Sequence, residues 1–292
     1  MPPILIHTFV RTSDAAVSHP SLFLTVPKGL KILGGGASIN SVEAANFLTA
    51  SYPANLQTWF AAGKDHEVAA PASITVSVYA IQDDDDIWDV QIFSGTTPQA
   101  ESHAKVAAYL PGDYVLTGGG AFVDYRGAGN MLTASFPVQP LGDGDWYAWE
   151  ARSKDHQISD PALVSAYAIG IRLRSAPEGA PGVQNNVLSR TSPLTDKPEV
   201  LTDNIIPPYQ VTGGGAWDNY TSAGNMLVAS SPRFPPATLG PWFARGSDHL
   251  VASPARITAW AIGLGPQPDS AARDARRRER RVARAAAGGA RY

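Results

Sequence analysis

Cysteine is absent from the 292 residues, which excludes a disulfide framework and any thiolate metal site and leaves the redox compartment open. Long apolar runs are missing too. None approaches the roughly 20 residues of a membrane-spanning helix, so no membrane span is expected. The opening stretch Met1–Val10 has neither the basic n-region nor the apolar core of a secretory signal. If the protein works outside the cell or at its surface, either another route exports it or its signal has already been removed. Basic residues are scarce in the body: the segment 266–292 carries eight arginines against Asp269, Asp274 and Glu279, or +5. The preceding 265 residues hold 15 Lys+Arg against 23 Asp+Glu, or −8. An acidic body is a poor nucleic-acid binder, so no nucleic acid is expected there, and an acidic protein partner is expected only for the tail. That tail has helix formers but no apolar stripe, and reads as disordered or helical.

What is plentiful is Gly (27) and Pro (24), as many short strands joined by tight turns require. The chain is also repetitive. Gly-Gly-Gly-Ala occurs at Gly34–Ala37, Gly118–Ala121 and Gly213–Ala216. Twelve residues after each first Gly stands Asn46, Asn130 or Asn225, opening Asn-x-Leu-x-Ala-Ser-x-Pro. A loop of variable length leads to Trp-x-Ala-x-x-x-Asp-His, at Trp59…Asp65-His66, Trp149…Asp155-His156 and Trp242…Asp248-His249. Pro-Ala then follows at Pro71, Pro161 and Pro254, and each copy closes on an aromatic before Ala-Ile, at Tyr79, Tyr167 and Trp260. This closing match asks for two extra residues in the first copy, a change that keeps inward and outward faces. Thr12, Thr96 and Thr191 hold the same register, each 22 residues before its Gly triplet. Fixed spacing of this kind defines three repeats, at residues 4–81, 88–173 and 183–265. The run Asp83–Asp86 and the Pro/Gly-rich stretch Arg174–Gly182 read as solvated linkers.

Within a repeat the hydrophobic period is two, and β-rich runs are broken by Gly, Pro and Asp. In the second copy this predicts six strands, near residues 89–94, 104–110, 113–125, 130–137, 145–152 and 162–173. The expected fold is all-β: three tandem β-sandwich-like or β-prism-like repeats, packing about a pseudo-threefold axis, plus the basic tail. A Gly triplet inside a strand implies a bulge or close backbone packing. No Lys-Ser/Thr and no helix follows it, so a phosphate loop is not expected.

The Asp-His pair is the one ionisable pair kept in all three copies. Three readings compete. Asp caps a turn while His packs against the repeated Trp; or the pair contacts a ligand; or His is a general base oriented by Asp. Neighbours on a strand point to opposite faces, so the last needs a turn between them. The one nucleophile at fixed spacing is the Ser of Ala-Ser-x-Pro, at Ser51, Ser135 and Ser230. Around a threefold axis His66, His156 and His249 would converge, and three imidazoles suit zinc or nickel. Spacing alone shows no convergence, and neither metal nor cofactor is assigned. Each repeated Trp is a core residue or a stacking platform. Lys64 and Lys154, replaced by Ser247 in the third copy, read as solvated. Loops of different length, with Trp146 and Tyr147 in the second copy, are where the copies should differ in specificity.

The order Gly-Gly-Gly-Ala, Ala-Ser-x-Pro, Trp-x-Ala, Tyr-Ala-Ile resembles repeat modules of uncharacterised exported and appendage-associated bacterial proteins. It covers about 50 residues of each copy. The glycine triplet is also similar to the sugar-binding turn of some β-prism lectins. The first resemblance implies extracellular or surface display and assigns no ligand. Its modules often carry Cys near the end of the closing strand, which this chain lacks.

The function expected is a multivalent, non-enzymatic carbohydrate-binding protein with one glycan site per repeat. Its ligand-binding residues are Trp59, Asp65 and His66; Trp149, Asp155 and His156; and Trp242, Asp248 and His249. The alternative is a structural or surface-appendage component docked through the basic tail. An Asp-His hydrolase comes third.

Overall fold

In the computed structural model, residues 3–41, 45–139, 146–176, 181–221, 224–233 and 235–267 are described. The basic tail beyond 267 lies outside them. The protein is all-β, and each repeat supplies six strands. The first forms β1 (Ile6–Thr12), β2 (Ser21–Thr25), β3 (Leu30–Asn40), β4 (Asn46–Asn55), β5 (Thr58–Asp65) and β6 (Ser73–Gln82). The second forms β7 (Trp88–Thr96), β8 (Lys105–Tyr109), β9 (Val115–Asp124), β10 (Asn130–Val138), β11 (Ala148–Asp155) and β12 (Leu163–Leu173). The third forms β13 (Val183–Thr191), β14 (Glu199–Leu201), β15 (Gln210–Asn219), β16 (Met226–Pro232), β17 (Trp242–Ser247) and β18 (Arg256–Pro266). Every strand expected for the second copy is present. Among the described residues no helix is long and apolar enough to cross a membrane.

The strands make three six-stranded sheets, and no sheet belongs to one repeat. Their orders are β1-β6-β3-β16-β17-β14, β2-β5-β4-β9-β12-β7 and β13-β18-β15-β10-β11-β8; we call them the first, second and third sheets. Each repeat gives three strands to one sheet and three to the next, bending round a corner between them. The halves of a sheet meet through short antiparallel seams: Ala229 and Ser230 on Ser38 and Ala37, Ala50 and Ser51 on Phe122 and Ala121, Ala134 and Ser135 on Trp217 and Ala216. The result is a three-sided, pseudo-threefold arrangement around one continuous hydrophobic core.

The glycine triplet makes this closure possible, each glycine in a different way. A Cβ on the first would strike the next copy's backbone: Gly34 at 2.3 Å from the Thr212 carbonyl oxygen, Gly118 at 2.6 Å from that of Leu33, Gly213 at 2.7 Å from that of Thr117. These residues bring the three central strands together. A Cβ on the second would enter the Trp of the same repeat, Gly35 at 2.8 Å from Trp59, Gly119 at 2.3 Å from Trp149 and Gly214 at 2.3 Å from Trp242. On the third it would meet the neighbouring copy across the seam, as Gly120 does at 2.3 Å from the Ser51 carbonyl oxygen. Both expectations for the triplet hold, because a register shift also precedes each first glycine.

The pairing corrects one alignment. Gly34 faces Tyr79, where Gly118 faces Ile169 and Gly213 faces Ile262. Tyr79 therefore occupies the place of those isoleucines, and Ser77 that of Tyr167 and Trp260. Counted from Pro71, the first copy has no extra residues. The aromatic has moved two places along the strand and keeps its face, but Tyr79 is covered there, 1% exposed, with its hydroxyl donating to the Ala237 carbonyl at 3.3 Å.

Candidate functional site

Each Asp-His pair follows the second strand of a hairpin, β4–β5, β10–β11 or β16–β17, at its open end, opposite the start of the first strand and at the end of the molecule away from the inter-repeat linkers. The residue after His takes a left-handed backbone: Glu67 (φ 55), Gln157 (φ 58) and Leu250 (φ 62). The His carbonyl accepts from the N–H two residues on, at 2.6 Å from Val68, 2.6 Å from Ile158 and 2.7 Å from Val251. These are γ-turns, an uncommon and strained backbone state. The Asp carboxylate braces the loop, as the capping reading expects. Asp65 accepts from the Ala70 N–H at 3.3 Å, Asp155 from that of Asp160 at 3.1 Å, and Asp248 from that of Ser253 at 3.2 Å.

The turn re-aims the imidazole toward the axis, where the three form a ring. His66 Nε2 lies 2.8 Å from the His156 carbonyl oxygen, His156 Nε2 2.6 Å from that of His249, and His249 Nε2 2.7 Å from that of His66. A carbonyl only accepts, so each Nε2 carries a proton and donates. These nitrogens are therefore engaged as donors and have no lone pair for a cation. Among the described residues no group of three or more His, Asp or Glu is arranged to hold a metal ion. The rings pack at 5.1, 5.3 and 6.0 Å between centroids. Burial, and then the neighbouring His156, pushes the His66 pKa below its usual 6.5. One of the three sequence readings packs the histidines against Trp; they pack instead on one another, with Phe47 edge-on to His249 at 5.6 Å.

The three tryptophans are core residues. Trp59 and Trp242 are 0% and Trp149 is 1% exposed. Each indole N–H donates to the Ser of Ala-Ser-x-Pro: to Ser51 at 3.0 Å, Ser135 at 2.9 Å and Ser230 at 3.0 Å. That hydroxyl serves the indole, not the imidazole. Of the nine residues picked from sequence for ligand contact, only Asp65, Asp155 and Asp248 keep partly exposed side chains. Beside Asp248 and His249 a shallow depression is lined by Lys197, Leu250, Val251 and Ala252.

Lys64 and Lys154, read as solvated, are buried at 1% exposure where successive repeats meet. Lys64 donates to the Gly127 carbonyl at 3.0 Å, sits 3.8 Å over the Tyr125 ring and lies 3.8 Å from Asp160. Lys154 donates to the Gly224 carbonyl at 2.5 Å, 4.0 Å over Tyr220. Burial lowers both ammonium pKa values from 10.5 to about 8. A stretched alkyl stem can enter a seam when an aromatic face and a carbonyl meet its head. The third junction has Ser247 and Ser41 at the matching positions.

The sheets' outer faces carry side chains that motif reading passed over. On the second sheet, cross-strand pairing sets Phe23 opposite Phe60 and Phe60 opposite Tyr52. Tyr52 then reaches over Gly120 to Tyr167, its ring stacked at 4.7 Å and 16°. Phe60 touches Phe23 at 4.5 Å and Tyr52 at 5.7 Å, and Phe122 joins at 5.5 Å from Tyr52. Phe23 is 57% exposed and the other four are half-buried. Hydroxyls flank the rings, with Thr25 on Thr58 at 3.0 Å and Thr96 on Ser165 at 2.8 Å. On the third sheet the equivalent row is Trp260, Gly215, Phe136 and Glu150, with Trp217 and Arg152 in the row beside it. On the first sheet the same positions are Ser77, Gly36, Ser231 and Phe243. A signal was available: Tyr52 and Phe136 are the x of Ala-Ser-x-Pro, and Phe122 and Trp217 directly follow Gly-Gly-Gly-Ala. No protein-family model matches the chain, and no curated protein matches it.

Proposed function

We propose that the protein is a multivalent, non-enzymatic carbohydrate-binding protein whose sugar platforms lie on the outer faces of its sheets, each built across a junction of two repeats. One observation carries this reading: the five-ring cluster of Phe23, Phe60, Tyr52, Tyr167 and the adjoining Phe122, exposed at Phe23 and half-buried along the rest of one sheet face. Large aromatic surface with hydroxyl-bearing neighbours suits a ligand that is apolar on its ring faces and hydroxylated at its edges. From β2 to β12 the row crosses four strand steps of about 4.8 Å, or about 19 Å, long enough for an oligosaccharide rather than a single sugar. Ser21, Thr25, Thr58, Ser94, Thr96 and Ser165 lie on these strands as polar partners. The residues paired beside the rings, Thr25 with Thr58 and Thr96 with Ser165, bear hydroxyls, which suits a neutral glycan. The Asp-His turns are framework in this reading: they lock the repeats that hold the platforms in place.

The test is affinity electrophoresis of the full chain in gels containing neutral polysaccharides, namely xylan, mixed-linkage glucan, galactomannan and dextran. Tyr52→Ala and Tyr167→Ala are expected to lower affinity about two- to tenfold on the retarding polysaccharide, since losing one stacked ring costs about 0.5–1.5 kcal/mol. Phe243→Ala, on the face without the row, should change nothing. Unaltered retardation of both tyrosine variants, with thermal midpoints near the parent's, would overturn the reading.

A further inference from the structure

We infer that the outer face of the third sheet is a second and chemically different site, which takes a mainly neutral glycan bearing an isolated carboxylate. The inference rests on the sheet faces being sugar platforms. The scaffold positions are the same as on the second sheet, but their content is not. Phe136 stacks on Trp260 at 4.8 Å and on Trp217 at 5.5 Å, with planes 26° and 9° apart. Where the second sheet has Phe60 and Ala62, this one has Glu150 and Arg152 on β11. The Arg152 guanidinium lies 4.6 Å over the Trp217 ring and 5.6 Å over Phe136.

Charge on this face is locally positive in a body of net negative charge. Glu150 Oε1 accepts from Arg152 Nε at 2.6 Å and Nη2 at 2.5 Å, and Lys105 Nζ stands 3.2 Å from Glu150 Oε2. One carboxylate thus faces two cations. Glu150 is 10% exposed in its side chain, whereas Arg152 is 29% and Lys105 58% exposed. The anion sits beneath and the cations above it. Glu150 holds the guanidinium over the indole through its Nε and Nη2 edge, which leaves the Nη1 edge and the Lys105 ammonium as donors to an incoming anion. A planar fork already fixed against a ring loses little freedom on binding a carboxylate. The surplus is one charge, and the acidic body repels a dense polyanion. A sparse carboxylate on an otherwise neutral chain, whose sugars rest on Trp217, fits both facts. Thr191 and Thr258, bonded to each other at 2.8 Å on the adjoining strands, supply hydroxyls at the far end.

The experiment uses the full chain with two probes, glucuronoxylan and hyaluronan, each beside its carboxyl-reduced form, in which the uronate has become a neutral sugar. Oligo(dT) serves as a stacking polyanion. The expected result is at least tenfold tighter binding of a native over a reduced glycan, abolished by Arg152→Gln and reduced by Lys105→Gln. Tyr52→Ala should leave the preference intact. Lys105 is exposed, so its variant keeps the test valid should Arg152→Gln disturb the fold. Equal binding of native and reduced glycans, while Tyr52-dependent binding of a neutral glycan persists, overturns this inference alone. Loss of every glycan interaction overturns the platform reading with it. Binding of oligo(dT) through Arg152 with no glycan preference identifies the face as a nucleic-acid site and overturns the inference as well.

Discussion

Replacing Lys64 with Met should make the protein more stable at neutral pH. Lys64 is almost fully buried, and its pKa is lowered from 10.5 to about 8. That gap corresponds to about 3 kcal/mol of preference for the neutral amine in the folded state, an upper bound that water reaching the seam reduces to about 1–3 kcal/mol. Met keeps most of the stem's volume and removes the charge. Its carboxylate partner is not stranded: Asp160 still accepts from the N–H groups of Gly127 at 2.9 Å, Asn130 at 3.2 Å and Arg126 at 3.4 Å. The Gly127 carbonyl does lose its ammonium donor, which offsets about 1 kcal/mol, so the gain expected in urea unfolding at pH 7 is about 0.5–2 kcal/mol. The parent should also become more stable between about pH 8 and 9.5, because over that range the unfolded lysine holds a proton that the folded one has released. Above about pH 10 the raised pKa values of Tyr125 and Tyr220 work in the opposite direction, so the measurement stops at 9.5. Lys154→Met is the contrast. Its neighbour Asp218 is 0% exposed, and neither carboxylate oxygen has a hydrogen-bond partner among the described residues. Removing Lys154 alone should not stabilise, whereas Lys154→Met with Asp218→Asn should. A Lys64→Met protein that is less stable than its parent by more than 1 kcal/mol, with no rise in parental stability toward pH 9.5, would refute the reasoning and make the cation–π contact the dominant effect.

Three further outcomes can be checked by chemical or thermal unfolding. His156→Phe leaves the His249 carbonyl without its imidazole donor and should cost about 1–3 kcal/mol; His156→Gln should recover part of it. Because the His66 pKa lies below 6.5 in the folded state, the unfolded chain takes up the proton first, and stability should fall as pH drops below about 6.5. A profile flat from pH 7 to 5 would contradict that. Gly119→Ala sets a Cβ 2.3 Å from both Trp149 and the Tyr167 carbonyl oxygen, a backbone atom that cannot step aside, so a loss of about 1–3 kcal/mol or more is expected. Gly112→Ala, with no atom within 4 Å of the new Cβ, should stay within about 0.5 kcal/mol of the parent.

Much of the architecture could be read before any coordinates. The triplicate motifs, the six strands per copy and the dual use of the glycines follow from spacing and period, because those depend on local chemistry. What escaped depends on contacts between copies. Each sheet is shared, and nothing in one repeat's alternation says that β4 pairs with β9 instead of with a strand of its own copy. Lys64 and Lys154 read as solvated because the Tyr125 and Tyr220 faces that receive them belong to the next repeat. Matching Tyr79 to Tyr167 by residue type hid a two-place move that the pairing with Gly34 exposes. Attention to what was constant in the motifs led to Asp, His and Trp, of which the His and Trp side chains are buried. The positions written as x, Tyr52 against Phe136 against Ser231, are where the outer sheet faces of the copies diverge, and of these only Tyr52 is partly exposed.

Strand sharing also bears on ancestry. Three separate copies of one repeat could close into the same object as a homotrimer, but every mutation would then appear on all three sides at once. Joining them in one chain frees each side to change alone. The first and third repeats meet as consecutive ones do: Gln210 of the third donates to the Ile4 carbonyl at 2.8 Å, and Ala229 and Ser230 pair with Ser38 and Ala37 across their seam.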